Sequence, residues 1–152
     1  MPDELFTLMN GKDVQAGKVV VMATVDDRGW AHPAMASYFE MVAKSPSRIH
    51  LAVGRNSTTE RNLVRTGAMT LVVTDQGVNF YLKGDARRTR EKLEDTMFAL
   101  FQIELHTVLE DQDPGATLVT GVRYEWNQSR NSEFMKKMLD ETLELLTAAS
   151  WE

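Results

Sequence analysis

The chain contains no cysteine. That excludes a disulfide framework, thiolate nucleophiles and thiolate metal sites. It also lacks any apolar run of roughly eighteen residues, so no membrane-spanning helix is expected. Basic residues are outnumbered, 17 Lys and Arg against 22 Asp and Glu, for a formal net charge of −5. This balance argues against general nucleic-acid binding. The opening "MPDELFTLMNGKD" has no basic stretch followed by an apolar one, so a signal peptide is not expected and the cytoplasm is the expected compartment. The 3 histidines are scattered without an i,i+4 pair, which gives no metal-ligand pattern. No Ser-His-Asp grouping, paired-carboxylate motif, internal repeat or low-complexity segment is present.

What remains is an ordinary globular composition, 43% hydrophobic and 26% charged over 152 residues, the size of one domain spanning 1–152. "PDELFTLMNG" has Pro2 where a first helical turn tolerates it and Gly11 where a helix ends, which predicts a short helix. "KVVVMATV" (18–25) is rich in β-branched residues and reads as a strand, followed by the turn "DDRG". "WAHPAMASYFEMV" (30–42) reads as one long strand with Pro33 at a bulge or an edge. "RIHLAV" (48–53) is a third strand, and its alternation reads His50 as a sheet-surface residue. "AMTLVVTD" (68–75) and "VNFYLKGDAR" (78–87) form a hairpin across "QG". "REKLEDTMFALFQIEL" (90–105) has a mostly helical apolar pattern, so "RRTR" (87–90) reads as the solvated start of that helix. "TLVTGVRYEW" (117–126) reads as a last strand. "NSEFMKKMLDETLELLTAAS" reads as an amphipathic closing helix whose methionines fill core or dimer contacts. The fold class that follows is mainly β with helices (α+β): a six-stranded antiparallel barrel with peripheral helices.

The third and fourth strands are joined by "GRNSTTERNLVR" (54–65), far richer in hydroxyl, amide and guanidinium groups than a connector requires. Ser57 and Glu60 have capping-box spacing, which predicts a helix from about Thr58 to near Gly67. Two readings stay open. Ser57 caps a connecting helix, for about 1 kcal/mol. Alternatively, the free amides of the helix start, the hydroxyls of Ser57, Thr58 and Thr59, and charge from Arg55 or Arg61 receive a phosphate.

The stretches "ATVDDRGWAHPAMASYFEMV", "RIHLAVGRNSTTERNLVRTGAMTLVV" and "FYLKGDAR" together resemble the pyridoxamine 5′-phosphate oxidase-like family of FMN-binding split β-barrels of Greek-key type, and its small FMN-binding protein branch in particular. The likeness covers residues 15–90, with weaker support from "TLVTGVRYEW". It implies an FMN phosphate at Ser57, Thr58 and Thr59, with Asn62 fixing that turn. It implies a flavin ring along Met35, Ala36 and Ser37 and along Val53 and Gly54, where small residues permit close approach. The family is homodimeric with flavin near the interface, so Trp126 or its neighbours would cover the partner's ring; of the three histidines, His32, next to Pro33, lies closer to the implied ring. Where many relatives carry Lys or Arg, this chain has Thr58, and Arg55 or Arg61 would substitute. The basic set that grips substrate phosphate in true pyridoxamine phosphate oxidases is not evident in "TGVRYEWNQSRNSEF", which argues against vitamin B6 synthesis. The implied activity is an FMN-dependent oxidoreductase passing electrons from a reduced nicotinamide or similar donor to a small acceptor. The alternative is a non-catalytic carrier or sensor for flavin or haem, and a deazaflavin would fit the same chemistry.

Overall fold

In the computed structural model, which describes all 152 residues, seven strands form one antiparallel sheet. The elements are α1 (Asp3–Met9), β1 (Val19–Val25), β2 (Ala31–Ser37), β3 (Met41–Ser45), β4 (Arg48–Gly54), α2 (Thr58–Thr66), β5 (Ala68–Asp75), β6 (Val78–Arg90), β7 (Phe98–Glu110) and α3 (Arg130–Ala148). The sheet order is β2-β1-β5-β6-β7-β4-β3, so β2 and β3 are its two edges. Yet only one 3₁₀ turn, Tyr38–Glu40, separates them in the chain. A connection that short forces the sheet to roll until its edges lie side by side. The edges do not pair, and the result is a split barrel.

The expected 30–42 strand is therefore two strands, and the count is seven rather than six. Its break is built by Ser37 and Glu40. The Ser37 hydroxyl accepts from the Phe39 amide at 3.3 Å, and the Ser37 amide donates to Glu40 Oε2 at 2.6 Å. Pro33 sits on an edge strand, where a missing donor costs no ladder bond.

The region 90–105 is not a helix: β7 runs from Phe98 to Glu110. Its first six residues are all buried because both faces are covered. Ala99, Phe101 and Ile103 fill the barrel interior, whereas Phe98 and Leu100 join the layer under α3. A strand covered on both sides loses its alternation, so period alone could not identify it. "RRTR" accordingly ends β6 rather than opening a helix.

The segment 117–126 forms no named strand. It is an extended strap with one isolated bridge, Lys18 to Arg123. β1 and β5 pair only over Val21–Ala23 and Thr70–Val72. Beyond that they part, and the strap fills the opening. The Val19 amide donates to Val122 O at 3.3 Å and the Tyr124 amide to Gly17 O at 2.8 Å. On the other side Gly121 lies so close to β5 that a Cβ would sit 1.8 Å from Thr74 O.

α3 packs against β3, β4 and the 3₁₀ turn, burying Met138, Leu139 and Leu146, each worth about 1.5–3 kcal/mol. Beyond α3, the last residues close over His50. Contrary to its expected surface position, His50 is fully buried. Its Nδ1 lies 3.1 Å from Leu146 O, and Trp151 stacks on the ring with a centroid separation of 5.5 Å. The Gln102 side-chain amide faces His50 Nε2 at 3.3 Å and donates to Ser150 O at 3.2 Å. With Nδ1 protonated and Nε2 accepting from Gln102, every group in this network is satisfied.

Two outcomes follow. Gly121→Ala should displace the strap and lower stability by about 1–3 kcal/mol, read by thermal melting and by faster proteolysis within residues 111–128. Burial is the main cause holding His50 below its ordinary 6.5, against the opposing Leu146 carbonyl. The unfolded chain then takes up that proton first. The stability it confers is complete above about pH 6.5 and is lost as pH falls through the lowered folded value. Denaturant melts from pH 7.5 to 5 should show this slope, and His50→Gln should flatten it.

Candidate functional site

The helix expected at Thr58 starts there. Ser57 is its N-cap, the hydroxyl accepting from the Glu60 amide at 3.0 Å. Gly67 ends it in the left-handed region at φ +69°, its amide donating to Leu63 O. Glu60 reaches back one residue further than a standard capping box. Its Oε2 accepts the Asn56 amide at 2.6 Å, and its Oε1 pairs with Arg88 of β6 at 3.1 Å. Asn56 is held at φ +61°, a conformation that asparagine tolerates better than most residues. Arg61 closes the same turn, donating to Asn56 O at 2.8 Å and to the Thr58 hydroxyl at 2.8 Å.

The turn is thus fixed from three directions while the amides of Thr58 and Thr59 stay without a partner in the chain. The Ser57 hydroxyl is engaged as the cap and that of Thr58 by Arg61. Thr59 is buried, and Arg55 is exposed at the rim. Two backbone donors at the positive end of a helix, with guanidinium groups nearby, suit an anion.

A second feature is the free edge of β2. Its far side pairs with no strand, which leaves main-chain donors and acceptors open along the edge. Met35 projects outward at 69% exposure, whereas Ala36 and Ser37 are buried. The helix start is tied to this strand across β1. The Asn62 side-chain amide donates to the Thr24 hydroxyl at 3.0 Å, and that hydroxyl reaches His32 O at 3.5 Å. Arg65 adds a bond to Val25 O. Asn62 and Thr24 are both buried, so this tie sets the offset between the two features.

Gly54 joins the site through the turn, where the Ser57 amide donates to Gly54 O at 3.3 Å, and Val53 is interior core. Trp126 is not brought to this corner. It packs edge-to-face on Tyr124, centroids 5.2 Å apart, against the layer covered by α3. Sequence reasoning missed Thr24, Arg88 and the reach of Glu60. Thr24 is legible as a lone hydroxyl on the inward face of β1. Arg88 is not, because its role depends on where β6 ends.

Thr24→Val would leave the Asn62 amide buried and unpaired, costing about 1–3 kcal/mol. Adding Asn62→Leu should cost less than the sum of the single changes, a coupling that urea unfolding of the four species measures.

No family model matches the chain. The uncharacterized protein YclD of Bacillus subtilis (strain 168) is 31% identical over 136 residues, covering 82% of this chain and 83% of that one. Among solved structures, HupZ of Group A Streptococcus superposes with a TM-score of 0.59 at 15% identity, covering 80% of this chain and 99% of that one. A Lactobacillus delbrueckii protein provisionally named a pyridoxamine 5′-phosphate oxidase gives 0.56 at 18%, covering 72% and 93%. An FMN-binding protein from Syntrophomonas wolfei gives 0.52 at 15%, covering 70% and 82%. The chain therefore belongs to one family with YclD, and its fold, a seven-stranded split barrel with a hydroxyl-rich helix start after β4, is the fold of these solved structures.

Proposed function

We propose that the protein binds flavin mononucleotide and works as a cytoplasmic oxidoreductase, passing electrons from a reduced nicotinamide or similar donor to a small acceptor. The observation that carries this reading is the pair of unpartnered amides at Thr58 and Thr59, tied through Asn62 and Thr24 to the open edge of β2. These residues fit the group. The phosphate would take the two amides with the hydroxyls of Ser57 and Thr59, and Arg55 or Arg61 would balance its charge. The main-chain groups of Met35 and the carbonyl of Ser37 on the free edge, with the small Ala36 between them and Gly54, would meet the ring. When bound, the flavin supplies the redox chemistry, and the chain binds it, orients it and limits its contact with water. Flavin-binding and reductase-type proteins among the structural neighbours support the reading.

The proposal includes a homodimer. On the outer sheet face, Met35, Val21, Val72, Tyr81 and Leu109 form one row across five strands. Met35 and Leu109 are 69% and 49% exposed. An apolar band crossing the outer face of the sheet suits a second copy of the chain. Trp126 would serve as a cover for the partner's ring only if dimerisation brought the α3 layer there.

Ser57→Ala with Thr59→Ala should weaken FMN binding by about tenfold or more in a flavin-fluorescence titration, since two bonds of about 1 kcal/mol each are lost. The protein should remain folded, with melting lowered by about one cap. Unchanged affinity would reduce the loop to a helix cap. Bound flavin that never oxidises a reduced nicotinamide would leave a carrier or sensor. A haem or deazaflavin spectrum in the purified protein would replace FMN as the group held.

A further inference from the structure

A second place in the molecule departs from regular structure, and the flavin reading does not use it. On β7, Ile103 and Leu105 turn toward the barrel interior, and the next residue to do so is Val108. The spacing of three, where a strand alternates by two, means that one residue is extra. The pairing with β6 locates it: Lys83 lies opposite Thr107 and Gly84 opposite Leu105, which leaves His106 without a partner. This is a β-bulge, and it places His106 and Thr107 together on the outer face.

Gly84 makes the bulge possible. A Cβ there would lie 2.4 Å from Glu104 O, closer than any side chain permits. The bulge aims His106 at Asp85, the next outward residue of β6, with Nε2 2.8 Å from Asp85 Oδ2. A carboxylate only accepts, so the proton of the neutral ring sits on Nε2, and Nδ1 is left as an acceptor and base. Lys83, one outward position before Asp85, has no carboxylate within ion-pair distance. Glu104 lies directly across from Asp85, and Arg87 is the next outward residue of β6.

The pair and Lys83 line a groove of about 440 Å³, within the range of small-molecule sites. Its other walls include Ala23, Val25, Ala31 and Ala68. Small apolar walls suit a flat ring, a base oriented by a carboxylate suits a hydroxyl that can give up its proton, and an unpaired ammonium suits the oxyanion left behind.

We propose that this groove binds a planar, weakly acidic hydroxyl compound of the phenol or hydroquinone class, with His106 as the proton acceptor. The O–H bond breaks and an N–H bond forms at His106 Nδ1. The electron pair stays on the oxygen, which Lys83 faces. Asp85 is a positioning residue that holds the ring and balances the imidazolium. The groups that act on the phenol, His106, Asp85 and Lys83, all lie on β6 and β7; Thr24, which also lines the groove, is the residue that ties α2 to β2 and takes no part in the proton transfer.

The test is a titration of the purified full chain with 4-nitrophenol, at a pH where the free probe is mostly protonated and colourless. It is run with and without added FMN, using absorbance for ionisation and equilibrium dialysis for affinity. The expected result is saturable binding with the appearance of the yellow phenolate. His106→Gln, which keeps a donor for Asp85 but supplies no base, should abolish the colour and weaken binding about tenfold. Lys83→Met should reduce the phenolate fraction more than the affinity, and Asp85→Asn should do the same through His106. All three positions are exposed, and circular dichroism verifies the fold. 4-Nitroanisole, which has no hydroxyl, should not compete. Absence of binding by the wild type, binding without colour, equal binding by the anisole, or undiminished colour in His106→Gln would each overturn the proposal. If FMN fails to bind while the phenol titration behaves as described, the cofactor reading fails and this site stands.

Discussion

Two edge strands joined by a three-residue turn impose the constraint from which the rest of this molecule follows. Antiparallel neighbours usually tolerate such a link because they already lie side by side. Here the linked strands end opposite edges of a seven-stranded sheet, so the whole sheet must curl to satisfy one turn. The curl encloses Ile49, Leu51, Leu71, Phe80, Leu82 and Phe101, all almost completely buried, in a single interior. It also has a cost. β1 and β5 cannot stay paired along their full length, and the chain spends the strap around Gly121 on filling the opening. The edge of β2 stays unpaired, and edge strands with free main-chain groups are normally shielded from other chains. In this fold, that same edge is the surface beside which a planar ligand could satisfy its polar groups.

A cofactor with a phosphate at one end and a ring at the other needs two separated anchors whose spacing does not drift. The α2 start and the β2 edge belong to different parts of the chain, with β1 between them. The buried bond from Asn62 to Thr24, continued to His32 O, spans that gap with side chains that have few alternative partners. The Glu60–Arg88 pair braces the helix start from the other side, against the end of β6. Exposed ion pairs contribute little, but Glu60 is nearly buried, so removing Arg88 would strand a carboxylate that also holds the Asn56 amide. The corner is rigid because its polar groups are shared between helix and sheet.

Much of this was legible in the sequence. Ser57, Glu60 and Gly67 mark α2 to the residue, because caps and left-handed glycines are local chemistry. β1 and the β5–β6 hairpin follow from β-branched runs and a turn. The break inside 30–42 also had a signal: "SYFE" carries the serine and glutamate of a capping box, which a strand reading overlooks. β7 was hidden for a different reason. A strand buried on both faces shows a continuous apolar run, and the period that would separate it from a buried helix is erased. The strap has the Val and Thr content of a strand but no partner over any length, and pairing is not written in composition. Around the helix start, Ser57, Thr58 and Thr59 lie together as local cap chemistry requires, Gly54 joins them through the turn, and Asn62, which only the resemblance singled out, bonds inward to Thr24. Trp126 belongs to another layer, because where a C-terminal aromatic packs is decided by α3.

The two proposed binding places share a physical property that scattered surface charges lack. Each departs from the easiest local backbone at a cost borne by the surrounding structure: Asn56 in the left-handed region of the turn between β4 and α2, and the extra residue at His106 in β7. A bulge that only relieved twist would not require its neighbour to be glycine, nor place an imidazole within 2.8 Å of a carboxylate on the adjoining strand. Likewise a plain connector would not surround an unfavourable backbone angle with bonds from both Glu60 and Arg61. Local strain persists where the rest of the fold over-determines it. In this chain Asn56 and His106 lie beside donors or acceptors left without partners, and the two proposals rest on that coincidence.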